Sequence, residues 1–297
     1  MQSLQGNVLN SCKIILIKKN LNTELMKQLF IILITFISFA NVYSQETAEV
    51  VKKKKVHGTF YLTWGYHRDN YTKSTISFKD NQTGDYDFKL YHAKAKDRLD
   101  IYDNLIGGEP ITVPQYVLYG GYFFGNKGDW GIEVGWDHLK YIVSDNQTIR
   151  LKGTINGQYY DQDTLLTPAF LHYEHTNGNN YLMVNLLKRF TFFKSPKKNH
   201  KLSAIVKLGA GTLVPKTYSV IQGRENDGPF RPSGIVIGAG LAARYDLLKY
   251  FFIEHSLKGA FADYTSVKLY GEGRAKQNFL SIQYIFSFGI NIPMSKN

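Results

Sequence analysis

The stretch Asn278-Phe279-Leu280-Ser281-Ile282-Gln283-Tyr284-Ile285-Phe286-Ser287-Phe288-Gly289-Ile290 decides the fold. Successive side chains of a strand point to opposite faces. Leu280, Ile282, Tyr284, Phe286, Phe288 and Ile290 therefore share one face, and Ser281, Gln283 and Ser287 the other. So many large apolar groups on one face of a single strand exceed what half of a small soluble core absorbs. They suit lipid, with the polar face turned to a packed lumen.

Seven earlier segments repeat the pattern: residues 58–67, 113–124, 130–143, 181–193, 202–214, 234–245 and 250–261. In the first, Phe60, Leu62, Trp64 and Tyr66 oppose Thr59, Tyr61, Thr63 and His67. In the third, Trp130, Ile132, Val134 and Trp136 oppose Glu133 and Asp137. The polar faces collect Glu133, Asp137, Arg189, Lys207, Arg244, Glu254 and Lys258, charges that can pair inside a polar lumen but not in a greasy cavity. A soluble antiparallel barrel of the lipocalin kind, the alternative, would turn its apolar face inward. The expected fold is thus an all-β, eight-stranded, antiparallel up-and-down transmembrane β-barrel with long outer loops.

The links alternate in length. Residues 125–129, 194–201 and 246–249 make short turns, and 68–112, 144–180, 215–233 and 262–277 make long loops. Short periplasmic turns and long outer loops are the outer-membrane arrangement, with both termini periplasmic. Alternation within residues 74–79 and 87–95 predicts a hairpin projecting above the membrane. The glycines Gly209, Gly211, Gly238 and Gly240 make room for larger opposing side chains or bend the strands, since no helix pattern follows them as a nucleotide loop requires. An eight-stranded interior is filled by side chains, which argues against a diffusion pore and moves function to the rim, the loops or the lipid-facing wall.

The mean hydropathy of −0.26 argues against a helical membrane protein, whereas alternating strands average to such a value. Met26-Lys27-Gln28 opens an uncharged apolar run from Leu29 to Phe39, followed by Val42 and Ser44 at the −3 and −1 positions of a cleavage site. Residues 26–44 read as a secretory signal peptide, with 1–25 an upstream extension. As a transmembrane anchor the run is too short. Residues 45–56 form a periplasmic tail and 57–297 the barrel, in the outer membrane of a Gram-negative bacterium. The one cysteine, Cys12, leaves with residues 1–44, which excludes disulfide and thiolate chemistry from the mature chain. Those residues carry four Lys and one Glu, so the formal charge falls from +12 to +9. A basic exported chain points to anionic lipid and not to nucleic acid. The expected partners are outer-membrane lipid and the barrel assembly machinery.

The densest polar cluster joins Asp137-His138-Leu139-Lys140-Tyr141 to Leu171-His172-Tyr173-Glu174-His175-Thr176-Asn177-Gly178. His138, His172 and His175 with Glu174 and Asp137 suit a metal site, or equally general acid and base groups. The bland alternative is that aromatic-rich loops carry histidines that hydrogen-bond one another. No cofactor follows from the sequence, and neither hydrolase, zinc-protease nor nucleotide-loop motifs occur.

Gly131-Ile132-Glu133-Val134-Gly135-Trp136-Asp137-His138-Leu139-Lys140-Tyr141, then Glu174-His175-Thr176-Asn177-Gly178, then Gly209-Ala210-Gly211 before Pro215, resembles the lipid A oxidase-like outer-membrane barrels. Gly238-Ala239-Gly240 and Phe251-Phe252-Ile253-Glu254 extend the likeness over roughly residues 110–265, while the first strand and its loop look like unassigned Bacteroidetes barrels. The resemblance implies oxidation of the proximal glucosamine of lipid A. His138, Glu174 and His175 would be catalytic, with Lys140, Asp137, Thr176 and Gly178 at the substrate. The chain departs from the expected Asp-Gly-Leu-Asn, having Asn177-Gly178-Asn179-Asn180.

Overall fold

The computed structural model describes residues 56–98, 114–125, 127–196 and 200–295. The expected signal peptide, its cleavage point and the tail up to residue 55 lie outside the described residues. The strands are β1 (Val56–Tyr71), β2 (Ser74–Asp80), β3 (Tyr86–Ala93), β4 (Ala95–Lys96), β5 (Tyr116–Phe124), β6 (Trp130–Val143), β7 (Thr148–Ile155), β8 (Gln158–Leu165), β9 (Leu171–Lys194), β10 (His200–Pro215), β11 (Tyr218–Ile221), β12 (Arg224–Asp227), β13 (Gly234–Leu247), β14 (Phe251–Lys268) and β15 (Gly273–Ser295).

Strands β1, β5, β6, β9, β10, β13, β14 and β15 pair in that order, all antiparallel, and β15 closes on β1. The expected eight-stranded barrel is present. A walk of cross-strand partners from Trp64 through Leu118, Trp136, Leu182, Thr212, Ile235 and Asp263 reaches Asn278. Trp64 itself pairs with Phe288, ten residues further along β15. With ordinary strand spacings, that stagger tilts the strands by about 40° from the barrel axis.

The alternation read from the sequence sets the wall. Leu62, Trp64, Ile132, Val134, Leu186, Leu208, Ile237, Leu241, Phe286 and Phe288 face outward and stay exposed. On β14 the exposed apolar stripe runs from Phe251 to Phe261. At this tilt, ten residues cover about 25 Å, the height of a membrane barrel's apolar band. The seven expected inward charges are all buried. Glu133 accepts from Tyr61 (2.6 Å), Asn185 (3.0 Å) and Lys207 (3.0 Å), while Lys207 also meets Glu254 (2.9 Å). Arg244 pairs with Glu254 at 2.6 Å, and Lys258 with Asp137. A Cβ at Gly209 would overlap the Asn185 amide, which is the space that strand glycines were expected to provide. Between these groups a cavity of about 10 Å³ remains, room for one water, so the lumen is sealed.

The long links are not loops in the ordinary sense. β9, β14 and β15 run on past the band, and β2, β3, β7 and β8 extend the sheet from the outer end of β15. β11 and β12 extend it from β9, and β4 adds to β6. The expected hairpin is β2–β3. Ile76, Phe78, Phe88, Leu151, Tyr173, Tyr264 and Phe279 fill an apolar core inside this outer cap. Phe78 meets Tyr173 edge-on at 5.4 Å, and Tyr141 stacks on Phe279 at 4.7 Å. Arg224 in the β11–β12 hairpin bonds Asp85 in the β2–β3 turn, tying the tips together. The protein is thus polar inside the band and largely apolar inside the cap.

Candidate functional site

Trp136 and His138 occupy successive outward positions of β6, at the upper edge of the band, and Asn180 of β9 pairs with His138. Asn180 donates its Nδ2 to the Val214 carbonyl (3.1 Å), which fixes Oδ1 as the acceptor. That oxygen receives Trp136 Nε1 (2.9 Å) and His138 Nδ1 (2.8 Å), so Nδ1 carries the proton. Tyr116 stacks on the His138 ring at 4.8 Å and 14°.

Immediately above, the ladder slips. Leu139 pairs with Asn179 and Tyr141 with His175, so Thr176, Asn177 and Gly178 oppose Lys140 alone. This bulge needs Gly178, whose φ is +140° and where a Cβ would press on Phe230, Asn180 and His138. Lys140 is buried, and its carbonyl accepts from the Tyr71 hydroxyl (2.7 Å).

Higher on β9, Glu174 accepts from Thr176 Oγ1 (2.6 Å) and faces His172 Nε2 (3.2 Å), while His172 Nδ1 lies 3.0 Å from Asp145. The bond to Glu174, and then that to Asp145, push the His172 pKa up to about 9. Burial works to raise the Glu174 carboxyl, but the bonds from His172 and Thr176 hold it below its ordinary value. At neutral pH this is an imidazolium between two carboxylates, which makes it a fixed charge and not a free base.

Two of the expected site residues lie on the other face. Asp137 turns into the lumen, accepting from Tyr119 (2.7 Å) and pairing with Lys258. His175 turns into the cap core, stacked on Tyr264 at 5.4 Å and edge-on to Tyr173 at 5.0 Å, with Nδ1 3.0 Å from Thr217 Oγ1. Burial there drives its pKa down to about 3. The expected convergence of His138, His172, His175, Glu174 and Asp137 does not form, because the pleat sends chain neighbours to opposite faces. Among the described residues no group of three or more His, Cys, Asp and Glu side chains could hold a metal. His138, Lys140, Glu174, Thr176 and Gly178 do follow one another up the β6–β9 wall. Asn180, Tyr116 and Asp145, which complete the polar groups there, were not anticipated.

An apolar outer band, a closed ring of eight strands, a sealed polar lumen and short turns at one end define an outer-membrane β-barrel. Neither a protein-family profile nor a curated protein matches the chain, so the lipid A oxidase likeness stays a resemblance. Among solved structures, the chain is similar to the outer membrane protein OprG from Pseudomonas aeruginosa, with 13% identity over 81% of this chain and 99% of that one, and a TM-score of 0.36. It is also similar to Neisserial surface protein A (11%, 76% and 98%, 0.29) and to the outer membrane protease OmpT from Escherichia coli (8%, 84% and 99%, 0.29). Likenesses at this level carry no residue role over to this chain.

Proposed function

We propose that this barrel binds the head groups of outer-leaflet lipid, lipid A above all, on its β6–β9 wall. The observation that carries this reading is one of position. The exposed Trp136 indole stands directly above the apolar band on the side of the long links, where lipid head groups begin, with His138 and Asn180 buried behind it and holding it in place. The packed interior of the band leaves no room for a lipid, which turns lipid binding to the outer wall and cap. His172, paired with Asp145 and Glu174, offers no net positive charge, but Thr176 and Glu174 offer partners for sugar hydroxyls. Trp136 and Tyr116 give acyl chains and sugar rings a flat, amphipathic edge.

A second reading, covalent modification of lipid A, is favoured by one feature. The His138 imidazole is oriented by Asn180 and Tyr116 at head-group height. Against it, Glu174 is committed to His172 and Thr176, and His175 is shut in the core. Two measurements separate the readings. Native mass spectrometry of the purified barrel reports retained lipid A, and mass spectrometry of lipid A from cells with and without the gene reports covalent change. Binding expects retention that falls in His138→Ala and Asn180→Ala, with lipid A masses unchanged. Masses that change with the gene and revert in His138→Ala would establish the modification instead. Lipid A neither retained nor altered would sink both.

A further inference from the structure

The lumen charges are unevenly paired. Among the described residues, Arg189, Lys201, Lys207, Arg244 and Lys258 share the lumen with Asp69, Glu133, Asp137, Asp246 and Glu254, and Asp69 is taken by His67 at 3.0 Å. Lys201 meets Asp246 (3.1 Å), Lys207 meets Glu133 and Glu254, Arg244 meets Glu254, and Lys258 meets Asp137. That leaves Arg189 as the lumen cation without a carboxylate.

The Arg189 guanidinium lies on the Phe123 ring, 3.4 Å from its centroid, and the residue is 4% exposed. Its Nε and Nη2 have no hydrogen-bond partner among the described residues. Those two N–H groups form the straight edge by which a guanidinium takes a carboxylate or phosphate with two parallel bonds. Arg68 uses that same edge on Asp97, at 2.6 and 2.9 Å. Arg189 stands near the periplasmic mouth, its backbone N–H bonded to the Asp129 carbonyl of the β5–β6 turn (2.7 Å). Two residues nearer the mouth on the same face, Thr191 lies exposed with its hydroxyl 3.2 Å from Ser203 Oγ. A buried charge left unmatched is costly, and a bound oxyanion offsets that cost.

We propose that Arg189 is an oxyanion-binding site at the periplasmic mouth, taking a carboxylate or phosphate group through Nε–H and Nη2–H beneath the Thr191 and Ser203 hydroxyls. The ligand is a free oxyanion of the periplasm, for which inorganic phosphate serves as the probe.

The test uses the full chain folded into phosphatidylcholine vesicles, with barrel closure checked by heat-modifiable gel migration. Inorganic phosphate replaces chloride at constant ionic strength while the urea unfolding midpoint is read. The wild type should show a midpoint that rises and saturates, Arg189→Gln a flat one. Arg189→Lys, which keeps the charge but loses the straight edge, should need about tenfold more phosphate. No saturable rise in the wild type, or the same rise in Arg189→Gln, overturns the proposal.

Discussion

His172 and His175 stand three residues apart and titrate in opposite senses, so the outer cap should hide two pH dependences in one shallow curve. His175 is neutral in the fold, with a pKa lowered by burial to about 3, against about 6.5 in the unfolded chain. Its contribution is complete above 6.5 and lost as pH falls, because the unfolded state takes the proton first. Between pH 8 and pH 5 the loss is about 2 kcal/mol. His172, held by Glu174 and Asp145 at about 9, contributes fully below 6.5 and loses that contribution as pH rises toward 9. Over the same interval it returns about 2 kcal/mol on acidification, discounted to about 1 because its side chain is partly solvated. His175→Phe keeps the aromatic contacts and removes the titrating ring. The variant's cap should therefore gain about 2 kcal/mol relative to the wild type between pH 8 and pH 5. Hydrogen–deuterium exchange of β2 and β7, corrected for intrinsic rate, measures it in both proteins. Equal pH dependence in the two would falsify the assignment of a neutral, buried His175.

Val134→Arg, in the middle of the lipid-facing band, should lower stability in vesicles by about 2–4 kcal/mol, while Tyr159→Arg on the exposed β8 edge should stay within about 0.5. Similar urea midpoints for the two would remove the band. A cysteine at Thr83 should label from outside intact cells, and one at Lys127 only after permeabilisation; labelling of both in intact cells would refute the orientation. Planar bilayers holding the barrel should show no stepwise conductance, and steady open-channel steps would contradict a lumen whose cavity is about 10 Å³.

The wall was legible because its information is local. A side chain's face follows from parity along one strand, and Trp130 to Val143 carries that parity through its whole length in the band. The cap was less legible because its pairings are distant. β2 lies beside β15, with Phe78 opposite Ala275, and nothing in either short segment names the other. The site was less legible because nearness in sequence is not nearness in space. Asp137 and His138, like Glu174 and His175, are chain neighbours that the alternation of the strand sends to opposite faces. Arg189 leaves a trace in the sequence, where the inward charges of the strands comprise four cations and three acids.

Both ends of every cap segment are anchored in wall strands, which constrains the order of assembly. β2 to β4, β7 and β8, and β11 and β12 are therefore expected to cross the bilayer before the wall strands on either side close. The apolar core of Phe78, Tyr173 and Phe279 is then expected to condense after that crossing. The sequence suits that late step, because β2–β3, β7–β8 and β11–β12 are hairpins of adjacent strands that close fast without waiting for distant partners. Docking of β2–β3 onto β15, of β7–β8 onto β3 and of β11–β12 onto β9 should then be the slow event in maturation of the cap, separable in time from insertion of the wall.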